Sequence, residues 1–437
     1  MLTNPIITSL IMKLFNKFFF LFSFCLFIFS SGQGFVKTKN GQFTINNQPY
    51  YYIGANYWYA SYLGLEKDPD RGIKRLEREL DFLKKNNVTN LRVLVGAEGA
   101  GAINGVKRVE PAYQTEAGVF NDDLLKGLDI FMNEIAKRDM KAVLFLSNNW
   151  EWSGGWLQYL NWNGLIDTPT MERALNWDEL RDYTSQFYSC KPCVAQYHEQ
   201  VKRVINRKNT VNGKKYKKDP ALMAWQIANE PRPMRPAAIP SFKNFIKETT
   251  ALIKSLDKKH LVSIGSEGEM GSETMDVFKD IHADKNVDYL TIHIWPKNWS
   301  WLDIQDMEGS FERAKNNTVD YMLAHEKVAD ALKKPIILEE FGFPRDGHSY
   351  DIKSSTILRD RYYEATFKLF DNSRKRGGTL SGIQFWSFGG ESRPIPGQIF
   401  WKSGDDYMGD PPMEEQGLNA VFDSDTSTWE LIRRYSK

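Results

Sequence analysis

The chain has 437 residues, 42% hydrophobic and 26% charged, which is an ordinary composition for a globular protein with a large core. With 57 basic and 55 acidic residues, the net charge of +2 gives no reason to expect nucleic acid or an anionic membrane as a partner. Aromatic residues make up 14% of the chain and include 13 tryptophans. This high content fits a site that stacks sugar rings on indole faces, although core packing accounts for part of it.

The N-terminus has the pattern of an export signal. Lys13 and Lys17 precede an apolar run at residues 18–31, FFFLFSFCLFIFSS, which is too short and badly flanked for a stable membrane span. Small residues follow this run and predict cleavage near residues 31–34. Met12 is an alternative start, because residues before it add nothing to such a signal.

A lipid anchor on Cys25 is the alternative interpretation of this segment. It is disfavoured because Phe24 stands where a small residue is needed and the apolar run continues past the cysteine. We therefore expect a cleaved signal peptide at residues 1–33 and export to the medium, the cell surface or the periplasm. The folded domain is expected at residues 35–437.

The remaining chain alternates strand-like and helical patterns. The stretch FVKTKNGQFTINNQPYY, residues 35–51, has two turn sequences and predicts a small hairpin that caps the floor of a barrel. Eight apolar runs predict strands, and each is continuously apolar, as expected when both faces of a sheet are covered. These runs span residues 51–56, 91–96, 142–150, 222–230, 261–268, 288–295, 335–342 and 382–390.

Helical patterns lie between the predicted strands. One apolar face is formed by Ile73, Leu76, Leu80 and Leu83, and a later one by Leu124, Leu128, Phe131 and Ile135. Eight strands, each followed by a helix, predict a single (β/α)8 barrel with long loops that form an open substrate cleft. A doubly wound open sheet is the alternative, but no glycine-rich phosphate loop follows the first strand.

Two cysteines, Cys190 and Cys193, follow the signal segment in the sequence CKPC. In an oxidising compartment, and with no second CxxC to complete a zinc site, we expect a local structural disulfide at the start of a helix. A free thiol pair is the alternative.

In a barrel of this kind the active site lies at the carboxyl ends of the strands. The polar residues predicted at those ends are Asn56, Arg92, Asn148, Asn149, Asn229, Glu230, Glu267, His293, Glu340 and Trp386. Glu230 closes the fourth predicted strand and Glu340 the seventh, so the two face each other across the mouth. Two carboxyl groups about 5 Å apart fit a retaining glycosidase. Two separate salt bridges are the alternative.

The motifs IANEP, EEFG, LRVL and FWSF together resemble glycoside hydrolase family 5, a retaining group with the (β/α)8 fold. The longer strings DPALMAWQIANEPR, THIWPKNW, ILEEFGFPRD and GDPPMEEQGLNAVFDSDTST resemble the endo-β-1,4-mannanases of subfamily 7. The resemblance extends from about Phe35 to the C-terminus.

The resemblance implies a role for each matching residue. Glu230 would be the acid/base and Glu340 the nucleophile, and strand alternation would let only one of Glu339 and Glu340 point into the mouth. Asn229 would donate to the sugar 2-hydroxyl. Arg92 would hold Glu340 ionised through charge-assisted hydrogen bonds, unless it serves only as a structural counter-ion.

Further positions are assigned to substrate binding by the same resemblance. His293 and Trp295 would face the site, with a core histidine as the alternative for His293. Trp386 would be the platform under the sugar at the cleavage point, and Trp58 would line the same region. Arg232 would contact the leaving-group side. In the loop at 148–162, which contains Trp150, Trp152, Trp156 and Trp162, we expect some tryptophans to reach the cleft and others to pack beneath it.

The sequence therefore predicts a secreted, monomeric endo-β-1,4-mannanase that acts on mannan, glucomannan or galactomannan. The alternatives are a related family 5 glycosidase, such as an endo-glucanase, an exo-mannosidase or a transglycosylase, and a non-catalytic polysaccharide-binding protein. No metal or other cofactor is expected, since the six histidines form no HExxH motif and two carboxylates suffice for the chemistry.

Overall fold

A computed structural model describes residues 34–437. Its central feature is a sheet of eight parallel strands in the order β5-β4-β3-β2-β1-β8-β7-β6. Neighbouring strands are consecutive in the sequence, and the first lies beside the eighth, as in a barrel. The strands are β1 (Tyr52–Asn56), β2 (Asn90–Leu94), β3 (Lys141–Phe145), β4 (Leu222–Gln226), β5 (Leu261–Ser263), β6 (Leu290–Ile294), β7 (Ile336–Phe341) and β8 (Leu380–Phe385). The predicted barrel is confirmed, and the open doubly wound sheet is excluded.

The seam between β5 and β6 is closed by individual backbone hydrogen bonds. Asp288 N donates to Val262 O at 2.8 Å, and His293 N donates to Glu267 O at 3.1 Å. All eight strands are buried along their whole length. Seven of them have five or six residues, and β5 has three. Burial on both faces explains why the runs are continuously apolar.

Eight helices follow the eight strands. They are α1 (Ile73–Lys85), α2 (Asp122–Lys137), α3 (Lys191–Asn206), α4 (Ile239–Leu256), α5 (Met275–Ala283), α6 (Met307–Leu332), α7 (Ile357–Arg376) and α8 (Thr426–Tyr435). Leu76, Leu80 and Leu83 bury the inner face of α1, whereas Ile73 is 37% exposed at its first turn and does not join that face. The predicted inner face of α2 is buried in full.

Shorter elements lie in the connections. The helices are Ala60–Leu63, Gly155–Trp162, Thr168–Glu172, Trp177–Thr184 and Glu269–Ser272, with 3-10 turns at Glu151–Ser153, Ser185–Ser189, Tyr216–Lys218, Pro236–Ala238 and Asp346–His348. Two-stranded ribbons pair Ala102–Ile103 with Val106–Lys107, Gln114–Glu116 with Val119–Phe120, and Phe388–Gly390 with Val421–Phe422. None of the helices within residues 34–437 is long and apolar enough to cross a membrane.

The predicted hairpin before β1 is a small antiparallel sheet of three strands, Val36–Lys39, Gln42–Ile45 and Gln48–Pro49. Its turns use positive φ angles at Asn40, Gly41, Asn46 and Asn47, which asparagine and glycine tolerate best. Phe43 belongs to the buried cluster at the amino ends of the barrel strands, where its ring meets Tyr289 at 5.3 Å. The sheet therefore closes the barrel floor, as predicted.

Cys190 and Cys193 form a disulfide at the start of α3. Cys190 is the N-cap of that helix, and its Sγ accepts a hydrogen bond from the Cys193 amide. The structure therefore agrees with the predicted local disulfide. The predictions for residues 1–33, including the signal peptide, lie outside the described residues.

Candidate active site

The carboxyl ends of the barrel strands surround a cavity of about 660 Å³. Its wall contains both predicted catalytic glutamates, five other residues that the sequence placed at strand ends or assigned to substrate binding, and residues from the long loops. The predicted members are Asn229, Glu230, Arg232, Glu267, Trp295, Glu340 and Trp386, and the loop members include Trp150, Trp152, Trp177, Lys297, Trp299, Met413, Glu414 and Asn419. A cavity of this size suits a ligand of a few sugar rings.

Glu230 and Glu340 lie close together in this cavity. A carboxylate oxygen of each, with a ring nitrogen of His293, forms a cluster whose atoms are all within 4.8 Å of one another. This separation is shorter than the roughly 6.5–9.5 Å between the carboxyl groups of an inverting pair.

Glu230 stands on irregular backbone beyond the end of β4. Its φ of +49° lies in the left-handed region that a non-glycine residue rarely adopts, and such strain concentrates at functional sites. Neighbouring loops over-determine this conformation, because Glu230 N donates to Gly265 O at 2.9 Å and Asn229 N donates to Ser147 O at 2.9 Å. The sequence prediction of a strand that continues to Glu230 is wrong, since the ladder ends at Gln226.

Donors engage both carboxylate oxygens of Glu230. His293 Nδ1 lies 2.7 Å from Oε1, and Trp150 Nε1 donates to Oε2 at 2.5 Å. Burial favours a raised pKa for Glu230, but the hydrogen bond and charge of His293 outweigh it and lower the pKa. Burial by itself lowers the pKa of His293. Glu340 and the other carboxylates around it have the larger effect and raise this pKa to about 10. His293 is therefore an imidazolium at neutral pH.

Arg92 is fully buried and holds the side chains around Glu340. It forms an ion pair with Glu340 through Nη1, donates to Asn229 Oδ1 from Nη2 at 2.8 Å, and donates to Gln226 Oε1 from Nε at 2.8 Å. A planar guanidinium can hold several acceptors at once in this way, which an ammonium cannot. Arg92 thus contacts Glu340 as expected from the sequence, but it lies behind the cavity wall and does not line it.

The two glutamates share a proton near neutral pH. Burial raises the pKa of Glu340 to about 7, against the opposing charges of His293 and Arg92, and the neighbouring Glu230 adds to the rise. Two carboxylates this close repel each other when both are ionised. The pair therefore loses its second proton only at a pH above the ordinary pKa of a glutamate. Because the pKa of Glu230 is lowered and that of Glu340 is raised, this proton is favoured on Glu340.

Glu339 is buried beneath the cavity wall and does not line it. Gln226 Nε2 donates to both of its oxygens, at 2.9 and 2.7 Å, and Arg92 Nε lies 3.4 Å away. Burial opposes ionisation, but the charge of Arg92 and the hydrogen bond from His293 lower the pKa of Glu339. Glu339 is therefore a fixed counter-ion, and Glu340 is the carboxylate that faces the cavity.

Trp386 and Trp295 form one aromatic corner of the cavity. Their ring centroids are 6.0 Å apart with planes at 78°. Trp386 Nε1 is buried and has no hydrogen-bond partner among the described residues. Asn229 Nδ2 donates to Asn148 Oδ1 at 3.1 Å and retains a second N–H for a sugar hydroxyl.

Arg232 lines the cavity and is held in place by Glu267. Its Nη2 donates to Glu267 Oε1 at 2.6 Å, its Nε donates to Glu267 Oε2, and its guanidinium carbon lies 4.9 Å from the Trp150 ring centroid. Both residues of this ion pair line the cavity. Sequence reasoning placed Glu267 at a strand end but did not identify it as the partner of Arg232.

Trp58 does not line the cavity, which corrects the expectation from the sequence. Its side chain is 1% exposed, and its Nε1 donates to Gly409 O at 2.8 Å. The loop after β8 therefore covers Trp58 and brings Met413, Glu414 and Asn419 to the cavity instead. Of the four tryptophans predicted in the loop after β3, Trp150 and Trp152 line the cavity, while Trp156 and Trp162 pack against Phe187 and Tyr159 beneath it.

Comparison with known proteins identifies the family. A family model described as GH family 5 beta-mannosidase-like matches residues 33–437. The chain belongs to glycoside hydrolase family 5, and the resemblance seen in its sequence motifs is confirmed.

Curated relatives are similar over most of the chain. Mannan endo-1,4-beta-mannosidase 1 of Oryza sativa subsp. japonica is 28% identical over 393 residues, which cover 85% of this chain and 81% of that protein. Mannan endo-1,4-beta-mannosidase 7 of Arabidopsis thaliana is 29% identical, covering 81% and 77%. The protein is therefore a glycoside hydrolase, and a non-catalytic binding protein is excluded.

Solved structures agree with the fold. The family 5 mannosidase of Rhizomucor miehei, solved as a mutant in complex with mannosyl-fructose, superposes with a TM-score of 0.83 at 32% identity, covering 93% of this chain and 97% of that one. The endo-1,4-beta-mannanase of the same organism has a TM-score of 0.64 at 22% identity and covers 92% and 98%. This second likeness supports the barrel fold alone.

Proposed function

We propose that the protein is an endo-β-1,4-mannanase that cleaves internal bonds of mannan, glucomannan or galactomannan with retention of configuration. The observation that carries the proposal is the close pair of Glu230 and Glu340 at the mouth of the barrel, within 4.8 Å of each other. Two curated relatives named as mannan endo-1,4-beta-mannosidases support the choice of substrate.

The reaction proceeds in two displacements. Glu340 attacks the anomeric carbon while Glu230 gives its proton to the leaving oxygen, so a glycosyl ester forms as the glycosidic bond breaks. Glu230 then removes a proton from water, whose oxygen bonds to the anomeric carbon as the ester to Glu340 breaks. Arg92 stabilises the carboxylate of Glu340 before it attacks and again as the ester breaks, and Asn229 donates to the 2-hydroxyl of the sugar. Trp386 supports the flattened ring.

Product analysis tests this proposal. Purified enzyme is incubated with linear mannan, glucomannan and carboxymethylcellulose, and the released oligosaccharides are sized over time. An endo-mannanase releases a range of mannooligosaccharides early and leaves carboxymethylcellulose intact. Proton NMR of a fresh digest must show the β anomer first, and an initial α anomer would contradict the retaining pair.

An exo-acting β-mannosidase is the second candidate, and the loop at residues 410–419 favours it. Asp410 holds this loop by accepting from the amides of Gly417 and Asn419 at 2.8 and 3.2 Å, and the loop places Met413 and Glu414 in the cavity wall. A wall on the side away from the leaving group would admit only the terminal sugar of a chain. The same product analysis separates the candidates, because an exo-acting enzyme releases mannose from the outset.

We also propose that the protein is exported after removal of residues 1–33, and that it acts as a monomer. The basic residues and short apolar run at the N-terminus support export. N-terminal sequencing of the mature protein from fractionated cells and medium tests the cleavage site and the final location. A retained N-terminus would favour a membrane-attached form.

A further inference from the structure

Trp177 differs from the other tryptophans of the chain in its exposure. Half of its surface, 50%, is open to solvent, and no other tryptophan within residues 34–437 is among the exposed large apolar side chains. It begins the short helix Trp177–Thr184 in the loop after β3 and lines the active-site cavity. A large indole left in water at the wall of a binding cavity indicates a surface that a ligand covers.

The position of Trp177 relative to the acid/base is defined by Trp150. The two rings are stacked, with centroids 6.2 Å apart and planes at 27°. Trp150 in turn donates to Glu230 Oε2 at 2.5 Å and contacts the guanidinium of Arg232. Trp177 therefore lies one aromatic ring further out than Trp150 on the side of Glu230, where the leaving group of the sugar chain departs.

The helix that carries Trp177 is fixed at both ends. Asn176 and Glu179 form a reciprocal capping box, with both hydrogen bonds at 3.0 Å. Arg235, from the loop after β4, pairs with Asp182 at 2.7 Å. This pair ties the helix to the same loop that carries Arg232, and a restrained helix lowers the entropic cost of binding a ligand.

We propose that Trp177 is the platform for a second β-linked pyranose on the leaving-group side, beyond the sugar next to the cleaved bond. The chemistry that fits is an apolar C–H face of a pyranose ring over the indole, with the sugar hydroxyls directed to water and to the rim. The inference rests on the proposed function, since it concerns how the same cavity selects longer β-mannoside chains. Trp177 is then a specificity residue that favours polymeric over short substrates.

Kinetics of the full-length protein with matched variants test this assignment. Trp177→Ala and Trp177→Phe are compared with Phe400→Ala, which removes a ring of similar exposure, 51%, outside the cavity. The substrates are mannopentaose, which reaches the second leaving-group sugar, and a nitrophenyl β-mannobioside. Release of nitrophenol reports cleavage only at the aryl bond, where no second sugar follows.

We expect Trp177→Ala to lower kcat/KM on mannopentaose about fivefold to tenfold, as expected for loss of one ring-stacking contact, and to change nitrophenol release less than twofold. Trp177→Phe should retain most of the activity on mannopentaose, and Phe400→Ala should match the wild type on both substrates. No loss on mannopentaose would overturn the assignment. Equal loss on both substrates, or a displaced pH profile, would also overturn it, because Trp177 would then act through Trp150 on Glu230.

The proposed function is tested separately in the same assays. Wild-type activity on the nitrophenyl substrate supports a retaining β-mannoside hydrolase whatever the Trp177 variants do. A wild-type enzyme that is inactive on both mannosides would overturn the proposed function and the assignment of Trp177 together.

Discussion

The hydrogen bond from Trp150 to Glu230 allows a quantitative prediction. Trp150→Phe removes the N–H that donates to Glu230 Oε2 at 2.5 Å and keeps an aromatic ring beside Trp177. A hydrogen bond to a charged group contributes about 1.5–3 kcal/mol, and about 1.36 kcal/mol corresponds to one pH unit. The lost donor stabilised the ionised carboxylate, so the proton shared with Glu340 is retained to higher pH. We expect the alkaline limb of the kcat/KM profile to move upward by about one unit.

The assay is kcat/KM against pH on an aryl β-mannobioside. Burial raises the pKa of Glu340 to about 7, so wild-type activity should fall as pH rises through that value and the shared proton is lost. Trp152→Phe is the matched control, because Trp152 lines the same cavity while Glu230 keeps both of its donors. An unmoved limb in Trp150→Phe, or an equal displacement in Trp152→Phe, would refute the reasoning.

Other side chains of the site give separate expectations. Glu340→Ala should lower turnover of mannan by about 10⁴-fold or more with little change in Tm, because it removes the nucleophile and not a core contact; Glu339→Ala should be milder in kcat, and the reverse order would exchange the two assignments. Trp386→Ala should lower kcat on every β-mannoside, whereas Arg232→Ala should be impaired mainly on mannooligosaccharides; equal losses on an aryl mannobioside would contradict the placement of Arg232. Burial raises the pKa of Glu151 from 4.5 to about 7, so the folded state binds a proton that the unfolded state releases, and stability is lost as pH rises through this window. The free energy of unfolding of Glu151→Gln, measured by chemical denaturation, should therefore rise relative to that of the wild type by up to about 3 kcal/mol between pH 4.5 and 8. A difference between the two proteins that does not change with pH would contradict this.

The barrel was predictable from the sequence because its signal is local. Strands buried on both faces must be apolar throughout, and the helices between them show one apolar face each. The carboxyl ends of the strands were less predictable. The runs that ended at Trp150 and Glu230 were assigned to strands, but the chain leaves the ladder at Phe145 and Gln226. Residues beyond those points are buried by loops and not by the sheet, so hydrophobicity alone does not mark the boundary.

Contacts between distant segments account for the site residues that sequence reasoning placed wrongly or missed. Trp58 leaves the cavity wall because Gly409, 351 residues later, accepts its indole hydrogen bond. No local pattern around Trp58 carries that information. Trp177 could have been noticed, since Asn176 followed three residues later by Glu179 is the signature of a helix start and places Trp177 at the first helical position. The direction of its ring toward the cavity still required the structure.

The adjacent pair of Glu339 and Glu340 shows how the site is built into the strand. Alternation along a regular strand would send these two side chains to opposite faces, yet both contact Arg92 and His293. The register explains this, because Ile292 pairs with Leu338 while His293 pairs with Glu340, so β7 has one extra residue at this point. Such a bulge re-aims side chains. Glu339 can then neutralise Arg92 and His293 from below while Glu340 meets the cavity. The two cations therefore face three carboxylates, those of Glu230, Glu339 and Glu340.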